Sequence, residues 1–264
     1  MSPIKKRIEE IKNNGYQLDF GNVFEHAFEN YKKIVLYAGL MLLVYIILLI
    51  ALMITGIINY IGIDNMEAFN ENLKNFKSIK DIPLNILLPL EAGIILLSGF
   101  LSPFYAGFLK MADCGEKDEE FHISSMFAYY KSPYFANILI STLLLSFTSS
   151  GLAFLLELAG IQTIGTLISL TISFLTFLTI PFVVFGKLNA FDAIKSSIII
   201  VSKQPLVLLG LLIVAIIGAA IGIFGLCIGL FFTIPFLYSM EYTIYSEIIG
   251  VDSESELVES DSIL

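Results

Sequence analysis

The chain alternates long uncharged apolar runs with short segments that carry charges and aromatic residues. Residues 34–58 and 204–240 carry no charge, and between Lys131 and Lys187 the only charged residue is Glu157. About 20 apolar residues are enough for a helix to cross the hydrocarbon core of a bilayer. The pattern therefore predicts an all-α, polytopic membrane protein.

The apolar runs divide into six predicted transmembrane helices, arranged as three hairpins. The last run stays apolar as far as Ile249. At about 1.5 Å per residue it is more than twice as long as one crossing, so it must fold back, and glycines at 222, 225 and 229 favour a turn there. The transmembrane domain covers 34–249, and its spans are about 34–57, 88–109, 134–156, 162–185, 205–224 and 228–248.

Amphipathic segments that combine aromatic residues with lysines lie beside these spans, as is typical of the membrane interface. Residues 1–33 form such a segment, with one helix over 3–14 that ends at Gly15 and a second that starts at Asn22. Similar patterns occur around 66–76, 121–131 and 187–203. We expect all of them to lie on the membrane surface.

The distribution of basic residues predicts the orientation. With the N-terminus in the cytosol, the cytosolic segments hold twelve of the fifteen Lys and Arg residues and the outer loops hold three. Such an excess is typical of the cytosolic side. The sequence thus predicts a multi-pass membrane protein with both termini inside, followed by an acidic disordered tail over 250–264.

An aromatic residue, a small hydroxyl residue and Pro-Phe occur together near the inner ends of spans two, four and six. The segments read "FLSPF", "FLTIPF" and "FFTIPF" and contain Pro103, Pro181 and Pro235. Proline removes one helical hydrogen bond, so each site is either a static kink or a hinge for gating. We expect a nearby hydroxyl to bind the freed carbonyl at each site: Ser102, Thr179 and Thr233. The recurrence indicates an internal repeat of three helical hairpins.

Hydroxyl residues at helical spacing mark one face of span four and one face of span three, the latter through Thr142, Ser146 and Ser149. Such faces serve close helix packing or line a polar groove for a ligand or lipid. The carboxylates near the span ends, Glu241 and Glu247 among them, are expected to reach the interface. The candidate polar cavity consists of Glu91, Glu157, Thr166, Ser169, Ser173 and Thr176.

Catalytic and cofactor chemistry is not indicated. The two cysteines and two histidines have no metal-binding spacing, and the sequence contains no phosphate-binding glycine loop or nucleophile elbow. We therefore expect no enzyme activity, no cofactor, no metal site and no nucleic-acid partner. Membrane lipids are the expected partners, and a protein partner is compatible with the surface segments.

The order of features is similar to that of a bacterial six-helix membrane domain that is found fused to glycerophosphodiester phosphodiesterases, and to that of its stand-alone relatives. The matching stretches include "VFEHAFENYKKIVLYAGLMLL", "LSPFYAGFLKMADCGEKDEEFHISSMFAYY" and "IPFLYSMEYTIY". The resemblance implies the six-helix fold and a location in the bacterial inner membrane. It implies no catalytic residue, because the phosphodiesterase activity belongs to a separate soluble domain.

The opening "NGYQLDFGNVFEHAFENYKKI" also resembles bacterial membrane proteins that carry a carotene-oxygenase label. Carotenoid oxygenases bind iron through four histidines, whereas this chain has two. The sequence leaves two main hypotheses open: a non-enzymatic envelope, interaction or lipid-associated protein, and a transporter or permease-like protein for a small or lipidic substrate. A membrane enzyme acting on isoprenoid lipid is the third and least supported.

Overall fold

The computed structural model describes residues 3–62, 82–225 and 228–251. Within these ranges the chain is all-helical, without strands. The helices are α1 (Pro3–Asn14), α2 (Phe20–Ile61), α3 (Leu84–Glu116), α4 (Phe135–Leu158), α5 (Gln162–Thr176), α6 (Thr179–Val184), α7 (Ala190–Val201), α8 (Pro205–Ala220), α9 (Ile228–Thr233) and α10 (Pro235–Ile249). Two 3-10 helices cover Ile123–Tyr130 and Ile221–Gly225.

Five stretches are long and apolar enough to cross a membrane. They belong to α2, α3, α4, α5 together with α6, and α8 together with the second 3-10 helix. A chain with several such helices is a multi-pass membrane protein. The predicted sixth span, 228–248, is divided between α9 and α10 at Ile234.

The first span does not form a helix separate from the surface segment before it. The helix α2 is continuous over 42 residues, and it is capped by Asp19, whose side chain accepts a hydrogen bond from the Asn22 amide at 2.8 Å. The prediction of a start at Asn22 was therefore wrong by two residues, because Asp19 reaches the free amides of the first turn. The predicted helix over 3–14 is confirmed as α1, and Gly15 follows it with φ +73°.

The helix α10 lies at the centre of the bundle. It packs against α2, α3 and α8, and ten of its fifteen residues are buried. The buried set includes Tyr242 and Tyr245, the largest fully buried side chains of the described residues. The surface helix predicted over 66–76 and the acidic tail from 252 lie outside the described residues.

Candidate functional site

The helix α3 passes through the first Pro-Phe site without a break. Pro103 has no N–H to donate to the carbonyl of Gly99, and the Ser102 hydroxyl donates to that carbonyl at 2.7 Å. The expectation that a neighbouring hydroxyl binds the freed carbonyl is confirmed here. The helix remains continuous because this carbonyl keeps a partner.

The second Pro-Phe site interrupts the helix, and a residue of another helix fixes the interruption. The helix α5 ends at Thr176 and α6 begins at Thr179. Ser197 of α7 accepts from the Leu178 amide at 3.2 Å and donates to the Leu175 carbonyl at 3.0 Å. Thr179 was expected to bind a freed carbonyl, but its hydroxyl has no hydrogen-bond partner among the described residues, so this prediction was wrong.

The third Pro-Phe site separates α9 from α10. Thr233 does not bind the Phe231 carbonyl that Pro235 frees, as had been expected. Its hydroxyl instead donates to the Ala219 carbonyl at 2.6 Å, which ties α9 to α8. Tyr31 of α2 donates to the neighbouring Phe232 carbonyl at 3.0 Å, so a residue of another helix stabilises this break as well.

A groove of about 260 Å³ lies where α3, α4, α5 and α6 meet, and we call it the hydroxyl groove. Four apolar side chains complete its wall: Leu145, Ile172, Phe177 and Ile180. No charged residue lines it among the described residues. Its lining hydroxyls are those of Tyr105, Thr142, Ser146, Ser149, Ser173, Thr176 and Thr179.

The predicted hydroxyl faces of spans three and four thus meet in the same groove. Of the six residues of the candidate polar cavity, Ser173 and Thr176 line it. The other four do not: Thr166 is exposed and donates to the Gln162 carbonyl of its own helix, and Ser169, Glu91 and Glu157 are partly exposed. Glu91 Oε1 is shielded from solvent and lacks a hydrogen-bond partner in the described part of the chain.

A buried carboxyl group lies behind the wall of this groove. Glu241 of α10 is only 6% exposed, and the Tyr105 hydroxyl donates to its Oε2. Its Oε1 has no hydrogen-bond partner among the described residues. The expectation that Glu241 reaches the interface was therefore wrong: α10 is enclosed by other helices, and its Glu241 face points into the bundle.

Sequence reasoning missed Glu241 because position along a helix gives approximate depth but not the neighbours. The available signal was its spacing from Pro235, which places it less than two turns beyond the helix break. A carboxylate at the membrane interface would lie at the same depth, so depth alone did not distinguish it from a buried one. The partner Tyr105 is 136 residues away in the chain.

A second polar cluster joins three helices at the end of the bundle that carries most of the charges. His26 Nε2 lies 2.8 Å from Glu116 Oε1 of α3, and His26 Nδ1 lies 2.8 Å from Glu247 Oε1 of α10. Close by, Asn30 donates to the Ala112 carbonyl at 2.8 Å and accepts from the Ser239 hydroxyl at 2.7 Å. These contacts fix the start of α2 against α3 and α10.

The protonated form of His26 fits this position. The residue lies in the charged first part of α2, before the uncharged run that begins at Ile34. Partial burial opposes its charge, but hydrogen bonds to Glu247 and Glu116 outweigh burial, and the pKa of His26 is raised above its ordinary value. Only the imidazolium donates from both ring nitrogens, as the two carboxylates require.

An apolar groove of about 360 Å³ lies on the other side of α10, between α2 and α8. Aromatic rings from α2 and α10 form much of its wall, with Phe24, Phe28 and Tyr31 each 5.5–6.2 Å from the ring centre of Phe236. Its remaining lining is mostly aliphatic. A surface of this kind fits the hydrocarbon part of a lipid.

Comparison with known proteins leaves the family undetermined: no family model, no curated protein and no solved structure matches the chain. The hydroxyl groove and the carboxyl group behind it are the features of the structure that bear on function.

Proposed function

We propose that this chain is a non-enzymatic, multi-pass protein of a bacterial inner membrane that binds a small polar or lipidic molecule in the hydroxyl groove, as transporters and permeases do. The observation that carries the proposal is Glu241, a buried carboxyl group linked through Tyr105 to a groove lined by hydroxyls. Ionisable groups inside a membrane protein are costly and typically mark pathways for ions, protons or substrates.

The contacts at the charged end of the bundle support six crossings with both termini on one side. Glu247, near the end of α10, pairs with His26 in the N-terminal segment, and Arg7 donates to the Ile248 carbonyl at 3.4 Å. At the start of α8, Gln204 donates to the Tyr16 carbonyl. The chain therefore leaves this end through α8 and returns to it through α9 and α10, which supports the interrupted pair as a sixth crossing. The excess of basic residues there supports a cytosolic location.

The hydroxyl groove is open to a ligand because part of its polar lining is unsatisfied. Thr179 is 1% exposed, and its hydroxyl has no partner among the described residues. A buried hydroxyl without a hydrogen bond costs free energy, and a bound polar molecule would remove that cost. A groove that served helix packing alone would be expected to pair its hydroxyls internally.

The proposal is tested by native mass spectrometry of the full chain, purified from its host membrane in mild detergent. We expect a discrete bound mass, which is weakened in Ser173→Ala and in Thr176→Val. Thr166→Val is the matched control, because Thr166 lies on the same helix outside the groove. A spectrum without a discrete bound mass, or one in which all three variants behave alike, would contradict the proposal.

The second hypothesis, a lipid-associated envelope component without a substrate, is favoured by the apolar groove beside Phe236. It predicts that bulk phospholipid remains bound and that Phe236→Ala, rather than Ser173→Ala, releases it. The same experiment therefore separates the two functions.

A further inference from the structure

The hydrogens of the hydroxyl groove are largely committed to the protein itself. Ser149 donates to the Leu145 carbonyl and Thr176 to the Ile172 carbonyl, each at 2.7 Å, and Tyr105 donates to Glu241. Each hydroxyl has one hydrogen and two lone pairs. These three groups therefore present only acceptors to a molecule in the groove.

The hydrogen of a fourth lining hydroxyl, that of Ser146, also forms a hydrogen bond within the protein. Ser98 donates to the Ile95 carbonyl at 2.7 Å, so in its 2.8 Å contact with Ser146 it is the acceptor and Ser146 is the donor. Three lining hydroxyls, those of Thr142, Ser173 and Thr179, donate to no acceptor among the described residues, so their hydrogens are available to a ligand. Acceptors thus outnumber donors in this groove.

The helix break at the second Pro-Phe site adds a further acceptor. Pro181 has no N–H to donate to the carbonyl of Phe177, and Phe177 lies in the wall of the groove. Neither Lys nor Arg lines the groove in the described residues, while the carboxyl of Glu241 lies behind Tyr105 of the groove wall. The groove therefore disfavours an anion and favours a molecule that brings hydrogen-bond donors and positive charge.

We infer that the hydroxyl groove binds an amphiphilic or free amine through a protonated primary ammonium group, with Glu241 as the compensating carboxylate. The three N–H donors of a primary ammonium match the excess of acceptors. The apolar members of the wall accommodate the carbon chain of the ligand. This inference rests on the proposed function, since it names the class of ligand for the same groove.

The test uses the full chain in phosphatidylcholine nanodiscs, with radiolabelled dodecylamine as the probe and empty nanodiscs as the blank. We expect saturable binding. Dodecyltrimethylammonium carries the charge without an N–H donor, so we expect it to compete at least about tenfold less well than unlabelled dodecylamine. Dodecanoate, with a similar chain and the opposite charge, should not compete.

Two further comparisons complete the design. Glu241→Gln should weaken dodecylamine binding by about ten- to a hundredfold, because it removes the charge that compensates the ammonium group at short range. Competition by butylamine would support the inference and assign the site to free amines. If unlabelled dodecylamine competes and butylamine does not, the result would support the inference and assign the site to amphiphilic amines.

The possible failures are distinguishable. Preference for dodecanoate, or equal competition by dodecyltrimethylammonium, would overturn the inference and leave a ligand-binding groove in place. Absence of saturable binding by any probe, together with absence of a discrete bound mass in the purified protein, would overturn the inference and the proposed function together. The probe comparison uses the unaltered chain, so it does not depend on the folding of Glu241→Gln.

Discussion

Single residues hold this helical bundle together where its helices are interrupted. Ser197 binds the Leu178 amide and the Leu175 carbonyl at the break between α5 and α6, and Tyr31 donates to a carbonyl at the break between α9 and α10. The sequence indicated the breaks through proline but not these partners, because both come from other helices. Ser102 was predictable, since it lies beside its proline in the same helix.

Replacing Ser197 tests this role. In Ser197→Ala the Leu178 amide and the Leu175 carbonyl both lose their partner within a buried region, and leaving such groups unpaired costs about 1–3 kcal/mol. We expect a lower midpoint of thermal unfolding, followed by circular dichroism in detergent. The control is Ser196→Ala, because the Ser196 hydroxyl donates to the Asp192 carbonyl of its own helix and to no other helix among the described residues. Equal midpoints for the two variants would contradict the role of Ser197.

His26 makes stability depend on pH. Its folded-state pKa is raised above the ordinary value by hydrogen bonds to Glu247 and Glu116, which outweigh the opposing effect of burial. The stabilisation is therefore fully present below the unfolded-state pKa of about 6.5 and is lost as pH rises through the folded-state pKa. We expect the unfolding midpoint to fall over this window in the unaltered chain and to change less in His26→Gln. The control is His122→Gln, which replaces the exposed second histidine and should keep the full pH response. Loss of the pH response in His122→Gln would contradict the role of His26.

Whole helices were predicted better than their ends. Hydropathy located the apolar part of every described helix that can cross a membrane, because about 20 residues are needed for each. It could not show that α2 continues through the surface segment into the first span, since amphipathic and apolar stretches are both helical. The glycines of the last run were expected to favour a turn, and the structure adds that Gly222 and Gly229 pack closely: a Cβ at Gly222 would lie 2.5 Å from the Gly229 carbonyl carbon.

The close approach of the second 3-10 helix to α9 can be tested by mutation. Gly222→Ala places a methyl group against the backbone of Gly229 and Leu230, and overpacking of this kind costs about 1–3 kcal/mol. We expect a lower unfolding midpoint in detergent. Gly225→Ala is the matched control, because no described atom lies within 4 Å of a Cβ at that position. A larger effect at Gly225 than at Gly222 would contradict the packing of the last hairpin.

The whole molecule has a charged end, where the N-terminal segment meets the ends of α3 and α10, and an apolar body that contains the hydroxyl groove. The sequence predicted the class of protein, because composition and periodicity are summed over many residues. It did not predict the groove as the structure has it, because helix pairing decides which hydroxyl faces meet. The internal repeat and the hinge role of Pro103, Pro181 and Pro235 remain predictions.

The contacts at the charged end predict the membrane topology of the chain. Both termini should lie in the cytosol, since the contacts of His26 with Glu247 bring the N-terminal segment and the end of α10 together. Reporter fusions at the N-terminus and the C-terminus should both report the cytosol, and a reporter inserted next to Ile82, between α2 and α3, should report the outside. Termini on opposite sides would mean an odd number of crossings and would contradict the pairing.

An experimental structure of the full chain in a lipid nanodisc, determined by electron cryo-microscopy with a bound antibody fragment to aid alignment, would show directly whether the hydroxyl groove holds a ligand. We expect an open groove between Tyr105 and Thr176 that holds discrete density within hydrogen-bond distance of the lining hydroxyls, with Glu241 buried behind Tyr105. A groove closed by direct packing of α4 against α5, or Glu241 exposed at the membrane surface, would contradict ligand binding in this groove.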